Sequence, residues 1–156
     1  MEANPGMLTL EKLRICRENG VNRLSLGLQS PDDTELVSLG RIHDYQQFLE
    51  SYQMAREAGF HNVNVDLMFG IPGQTRDGWE KSLRIVAALN PEHISAYSLI
   101  IEEGTPFAAR NLALPDEDTE YQMYEDTARI LGEYGFEQYE ISNYAQGGKA
   151  CIHHFV

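Results

Sequence analysis

Cysteine and positive charge are what this sequence has least of. Cys16 and Cys151 are its only cysteines in 156 residues, far apart and forming no C-x-x-C pair. That excludes a disulfide framework and a cysteine-built zinc site, and the simplest reading is a cytoplasmic protein with reduced thiols. Lysine and arginine number 12 against 24 aspartates and glutamates, a formal charge of -12. A surface this acidic excludes a sequence-independent grip on nucleic acid or on an anionic membrane. No run is long or apolar enough to span a bilayer, and no signal-peptide pattern is visible. There is no P-loop and no G-x-G-x-x-G, and His61, His93, His153 and His154 form no metal-ligand pattern with the two cysteines. What remains is ordinary for one globular domain, 42% hydrophobic and 23% charged, with enough chain to bury a core.

The informative stretch is Val63-Asn64-Val65-Asp66-Leu67-Met68-Phe69-Gly70-Ile71-Pro72-Gly73-Gln74-Thr75. Val63, Val65, Leu67 and Phe69 alternate with Asn64, Asp66 and Met68, the period of a strand. Gly70, Pro72 and Gly73 stop that strand, and Thr75 can cap a helix beginning near Arg76. Asp66 is the residue out of place, because burying a lone carboxylate costs several kcal/mol. Parallel-sheet enzymes gather polar chemistry at strand C-termini, where Asp66 falls. A carboxylate there either serves a ligand or is tied to a neighbouring arginine or backbone N–H, and the residue alone does not choose.

The rest of the chain repeats one unit. Asn4-Pro5-Gly6 is turn chemistry. Leu10, Leu13 and Ile15 mark a helix ending at Gly20, and residues 21–30 form a strand with Leu24, Leu26 and Leu28 on one face and Ser25, Gly27 and Gln29 on the other. Asp44 caps a helix carrying Phe48, Leu49, Tyr52 and Ala55, which Gly59 ends. After the central strand a helix with Trp79, Leu83, Val86 and Leu89 stops at Asn90-Pro91, and residues 93–101 read as a third strand. Residues 102–117 are a long irregular connection, a kind that is usually functional in a compact domain. A helix over about residues 118–134 and a last strand over about 137–142 follow. Glu18-Asn19-Gly20-Val21, Glu57-Ala58-Gly59-Phe60 and Glu133-Tyr134-Gly135-Phe136 are copies of one helix-to-strand junction, and Asn90-Pro91 replaces a further copy. Four α-then-β units demand parallel strands with right-handed crossovers, so an open doubly wound sheet and a (β/α) barrel both fit. Four units are about half of an eight-unit barrel, and the start in mid-pattern implies that earlier units are missing.

Strand exits and the loops after them then supply a short list: Glu2, Gln29, Asp66, Ile100, Arg41 and Thr75. No Ser/His/Asp or Cys/His set falls there, so nucleophilic catalysis is not indicated. Two carboxylates, an amide and a guanidinium suit a polar zwitterionic ligand: a carboxylate accepts from a ribose diol, arginine pairs with a ligand carboxylate, and aspartate or glutamine takes an ammonium or an adenine edge. Taken alone, each reads as a surface or loop ion pair; four at successive exits point to a site.

These runs also carry a resemblance. Glu2-Ala3-Asn4-Pro5, Val21-Asn22-Arg23-Leu24-Ser25-Leu26-Gly27-Leu28-Gln29-Ser30, Leu39-Gly40-Arg41-Ile42-His43 and above all residues 64–75 resemble the radical SAM enzymes of the oxygen-independent coproporphyrinogen III oxidase family. The resemblance covers nearly the whole chain. It implies an α/β fold, a partial (β/α) barrel contributing about four α-β units of an incomplete (β/α)6 barrel. It implies S-adenosylmethionine at the barrel top, on a 4Fe-4S cluster, and places Glu2, Gln29, Arg41, Asp66 and Ile100 on S-adenosylmethionine-contacting positions. Residues 95–107 and 139–145 are most similar to the haem chaperone (HemW-like) branch, which implies haem or porphyrin as a ligand, haem-receiving apoproteins as partners and His153 as a haem ligand. Cys151-Ile152-His153-His154 departs from that branch's C-x-H-N pattern at His154. On this reading residues 1–145 are the C-terminal part of a radical SAM barrel, and residues 146–156 begin a truncated C-terminal region. The family's C-x-x-x-C-x-x-C cluster motif is absent, so the cluster ligands are expected outside this chain, with no metal held within it. The alternatives are a true coproporphyrinogen oxidase, a haem carrier on a barrel scaffold, and a metal-free β/α enzyme.

With two thiols the chain cannot supply the three cysteines that such a cluster usually takes from its protein. Expressed alone and reconstituted anaerobically with iron and sulfide, this polypeptide should show no charge-transfer absorbance. It should form no 5′-deoxyadenosine, and should associate through an unpaired sheet edge. Stoichiometric 5′-deoxyadenosine, read by chromatography, would contradict the expected absence of the cluster half.

Overall fold

A computed structural model describes residues 1–110, 112–148 and 150. In chain order the elements are β1 (Glu2–Ala3), α1 (Leu10–Glu18), β2 (Leu24–Gln29), α2 (Asp33–Ser38), α3 (Tyr45–Glu57) and β3 (Val63–Phe69). Then come α4 (Arg76–Ala87), β4 (His93–Ser98), α5 (Glu117–Glu133), β5 (Glu137–Glu140) and β6 (Asn143–Ala145). Local chemistry sets the helix starts. Thr9, Asp32, Asp44, Thr75 and Asp116 each accept a backbone N–H of the first turn, and Asp44 closes a capping box with Gln47. α4 ends before Asn90-Pro91 as expected, and Asn90, with φ of 60°, takes the left-handed conformation that asparagine tolerates after a helix.

The strands form one open sheet in the order β1-β2-β3-β4-β6-β5. β1 to β4 are mutually parallel, as the repeated units require. β3 lies between two partners, with Asp66 facing Gly27 of β2 on one side and Ser95 of β4 on the other. Leu24, Leu26, Leu28, Val63, Val65, Leu67, Ile94 and Ala96 occupy one face and form a single core with Leu13, Phe48, Trp79, Leu83 and Ile130 of the helices. The alternate residues, Ser25, Asn64, Asp66, His93 and Ser95, give the other face a polar inner layer. Helix α5 locks onto α4 through Trp79, whose indole Nε1 donates to Thr127 Oγ1 at 2.9 Å and to the Met123 carbonyl at 3.1 Å. Arg76 adds a two-point bond to the buried Asp126, at 2.6 and 2.9 Å.

Three expectations are corrected. The last strand, expected as one run over 137–142, is a hairpin: β5 turns at Ile141 and Ser142 into β6. β6 inserts antiparallel between β4 and β5, so the fourth unit does not add a parallel neighbour. A two-residue link has no length for a crossover and can join only antiparallel strands. Second, β4 ends at Ser98 rather than 101, where the long connection leaves the sheet and Leu99 N binds the Phe69 carbonyl. Third, α2 forms between Gln29 and Arg41, where no helix was expected, because Asp32 caps it and Leu36 buries one side.

Leu67, fully buried at the centre of β3, should tolerate truncation poorly. Leu67→Ala should cost about 2–5 kcal/mol, whereas Ile42→Ala, at a side chain 93% exposed, should change stability by less than about 0.5 kcal/mol. Urea denaturation of both variants measures the contrast.

Candidate functional site

The polar inner layer opens at the C-terminal ends of β1, β2 and β3. There Glu2, Asn4, Ser25, Gly27, Gln29 and Asp66 line a cavity of about 310 Å³. Gln29 reaches it by a local distortion: the β2–β3 register slips between Gly27 and Gln29, and Gln29 has φ of 72°. A side-chain-bearing residue in that conformation costs about 1 kcal/mol or more, so the distortion is held by its surroundings. Gly27 makes room for it. A Cβ on Gly27 would stand 3.3 Å from Gln29 Nε2 and 3.7 Å from Asn4 Oδ1. The amides of Gln29 and Asn4 thus close over a strand glycine.

Asp66 sits at the cavity floor. Its Oδ1 accepts from Asn64 Nδ2 at 2.8 Å, and its Oδ2 lies 3.5 Å from Ser25 Oγ. Burial pushes its carboxyl above the ordinary aspartate value, and the charge of Glu2 adds to the rise, while bonds from Asn64 and Ser25 and the charge of Arg23 oppose it. No arginine or lysine forms an ion pair with Asp66 among the described residues. The carboxylate therefore keeps capacity to accept hydrogen bonds from a ligand.

Arg41 and Ile100 line a different cavity, of about 400 Å³, with Leu39, Met68, Leu99 and Phe107. A third, of about 300 Å³, is lined by Asn4, Arg41, Ile42 and His43, sharing Asn4 with the first and Arg41 with the second. The strand-exit residues thus divide into a carboxylate-and-amide end and a largely apolar end with the Arg41 guanidinium, which Glu102 and Thr105 also line. The loop bearing Arg41 is anchored from behind. His43 Nε2 bonds the Leu28 carbonyl at 3.0 Å, Arg41 N donates to the Leu36 carbonyl at 3.0 Å, and Ser30 Oγ meets Glu35 Oε2 at 2.5 Å. Gln74 braces the neighbouring loop: its Oε1 accepts from Gly70 N at 2.8 Å, and its Nε2 faces Glu35 at 3.4 Å. Thr75 is withdrawn from the site, its hydroxyl capping α4 at Gly78 N.

Glu2, Gln29 and Asp66 are thus brought together, while Arg41 and Ile100 stand on the adjoining cavity. His153 lies outside the described residues. Asn4, Ser25 and Asn64 were not singled out from the sequence. Ser25 and Asn64 share the inner-face alternation with Asp66, which was the available signal; Asn4 was masked by its turn. Among the described residues, no group of three or more His, Cys, Asp or Glu side chains could hold a metal ion, so they do not fit a 4Fe-4S cluster. No described helix is long and apolar enough to cross a membrane.

Parallel β/α units with polar groups gathered at the strand exits define part of a ligand-binding barrel. The chain belongs to the radical SAM superfamily, whose family model matches residues 1–86. It is 44% identical over 160 residues to the heme chaperone HemW of Bacillus subtilis, matching all of this chain and 42% of that protein. It is 39% identical to the Escherichia coli HemW, over 98% of this chain and 40% of the relative. The chain therefore spans less than half the length of these relatives. In structure it superposes on Escherichia coli coproporphyrinogen III oxidase (HemN), described as a radical SAM enzyme, with a TM-score of 0.84 at 28% identity. That match covers 94% of this chain and 35% of the oxidase. Membership implies S-adenosylmethionine and a 4Fe-4S cluster as cofactors.

Asp66 carries a stability consequence of known sign. Its pKa is raised in the fold, so its contribution is favourable below the unfolded value and is lost as pH rises through the folded one. Asp66→Asn should therefore leave the ligand-free protein as stable at pH 7 as the parent or more so. The advantage should fade on acidification toward about pH 4, the ordinary aspartate range. Thermal melts across pH test this, and a lower melting temperature for the variant at neutral pH would contradict it.

Proposed function

We propose that this chain supplies the part of a radical SAM site that holds the nucleoside and methionine moieties of S-adenosylmethionine, in a haem chaperone-like protein of porphyrin metabolism. The observation that carries the reading is the convergence of Glu2, Gln29 and Asp66 on one polar cavity beside an apolar one bearing Arg41 and Ile100. Carboxylates and an amide can take hydroxyl and ammonium donors, Arg41 can pair with a carboxylate, and Ile100 offers a flat apolar contact. S-adenosylmethionine has each of these groups: hydroxyl donors on its central ribose, an ammonium and a carboxylate on the methionine end, and the flat face of a purine at the other end. The cluster would supply the electron that cleaves the cofactor, and its ligands are assigned outside this chain.

The chaperone branch is supported by the names of the relatives reported above. On that reading the cargo is haem, the partners are haem-receiving apoproteins, and His153 is the candidate haem ligand. A net charge of -12 argues against nucleic acid as a partner. The lone thiols support a cytoplasmic setting, and dimerisation is part of the proposal. A second reading, oxidative decarboxylation of coproporphyrinogen III to protoporphyrinogen IX, is favoured by the similarity to HemN. Protoporphyrinogen formation on one hand and haem transfer to an apoprotein on the other separate the two.

In the intact protein, Asp66→Ala should weaken S-adenosylmethionine binding by about ten-fold to a few hundred-fold, the loss of one or two charge-assisted bonds. Arg41→Lys should also lose affinity, because a guanidinium fork grips a carboxylate at two points and an ammonium does not. Equilibrium dialysis decides both. Unchanged affinity for Asp66→Ala would return that residue to a structural role, and unchanged affinity for Arg41→Lys would reduce Arg41 to a general positive field.

A further inference from the structure

The polar contacts of the inner face form one chain leading to Asp66. Asn64 is 3% exposed and His93 fully buried. Asn64 Nδ2 donates to Asp66 Oδ1 at 2.8 Å and to Ser25 Oγ at 2.7 Å. Its Oδ1 stands 2.5 Å from His93 Nδ1 and 3.2 Å from Ser95 Oγ. His93 Nε2 in turn meets the Tyr139 hydroxyl of β5, and Ser95 Oγ reaches Asn143 Oδ1 of β6 at 2.8 Å. Asparagine presents one acceptor and one donor end, and their order here is fixed by the Asp66 carboxylate, which can only accept. Turned over, its oxygen would confront the Asp66 carboxylate and leave that charge without its shortest donor. His93 Nδ1 therefore carries a proton and donates it to Asn64, which holds the amide with its N–H edge toward Asp66.

We infer that Asn64 and His93 are positioning residues: they act through the Asp66 carboxylate, holding it ionised and aimed into the cavity so that it accepts donors of the bound nucleoside or methionine. This rests on the proposed S-adenosylmethionine reading and adds the hydrogen-bonded support behind it. It also assigns the β5–β6 hairpin a task, because that hairpin buttresses the far side of His93 and Ser95. A carboxylate buried beside Glu2 is driven toward protonation, and a protonated carboxyl would offer a ligand a donor in place of an acceptor. The fixed amide opposes that change. The other groups facing Asp66 are Glu2 from β1, Arg23 just before β2, Ser25 from β2, and Tyr97 from β4, with Glu140 of β5 acting on Tyr97.

The test is S-adenosylmethionine affinity of the intact cluster-loaded protein, by equilibrium dialysis between about pH 6 and pH 9, expressed as the ratio of variant to parent so that titration of the cofactor itself cancels. Asn64→Leu should bind about ten- to a hundred-fold more weakly at the acid end. The loss should shrink as pH rises, because a higher pH favours the ionised carboxylate. A purely structural defect would give a ratio independent of pH, and that flat ratio, or an unchanged affinity, would overturn the inference. His93→Leu should show the same pH-dependent loss in smaller measure, about three- to ten-fold. His93→Asn, which keeps an N–H near the place of Nδ1, should restore binding. If Asn64→Leu yields no soluble protein, the His93 pair decides: equal affinities for His93→Leu and His93→Asn would overturn it. Asp66→Ala is measured alongside. If Asp66→Ala itself binds normally, the cofactor reading of Asp66 has failed, and a loss there with normal Asn64 and His93 variants means that only the positioning role has.

Discussion

The register of β3 between β2 and β4 is the constraint on which the rest of the structure depends. Side chains alternate across a strand, so one register sends Val63, Val65, Leu67 and Phe69 into the helices and Asn64, Asp66 and Met68 to the inner face. A slip by one residue would exchange the two sets, placing a carboxylate and an amide in the apolar core. Both neighbours enforce the same choice. Ser25 and Gly27 of β2 and His93 and Ser95 of β4 stand opposite Asn64 and Asp66. The apolar side supplies stability, and the polar side is thereby free to carry chemistry.

That division explains why the inner layer can be polar at acceptable cost. Asn64 uses both ends of its amide, with Ser25, Asp66, His93 and Ser95 as partners, and Asn143 continues the layer into the hairpin. A buried polar layer is tolerable when its members find partners, since an unmade bond there costs about 1–3 kcal/mol. Asp66 is the member whose environment works against its charge. Retaining it at the exit of the central strand accepts a local loss of stability, the usual relation between a functional site and its scaffold. The left-handed Gln29 beside it has the same character, a strained backbone kept where an amide is needed.

Much of this was legible in the sequence, for local reasons. The caps Asp44 and Thr75, the helix stop at Asn90-Pro91 and the alternation of residues 63–69 depend on near neighbours, and the structure has them as read. The convergence of Glu2, Gln29 and Asp66 followed from the rule that parallel strands collect polar groups at their ends. What was hidden depends on distant contacts. β6 reverses direction because it finds a partner in β4, some fifty residues earlier, and three residues carry too little pattern to announce that. The positive φ of Gln29 and the service of Gly27 beneath it appear only when strand and loop are packed together. Arg41 and Ile100 fall on an adjoining cavity because α2 and the long connection redirect their loops, which no periodicity encodes.

On the proposed function, one ligand spans the polar cavity at Asp66 and the cavity bearing Arg41 and Ile100. A crystal structure of the intact protein with S-adenosylmethionine tests it most directly. Donors of the ligand should lie within hydrogen-bond distance of Asp66 and Gln29, the ligand carboxylate or purine should reach Arg41 and Ile100, and the Asn64 amide should stand unturned behind Asp66. A cofactor bound elsewhere, with Asp66 touching only Asn64 and Ser25, would contradict it.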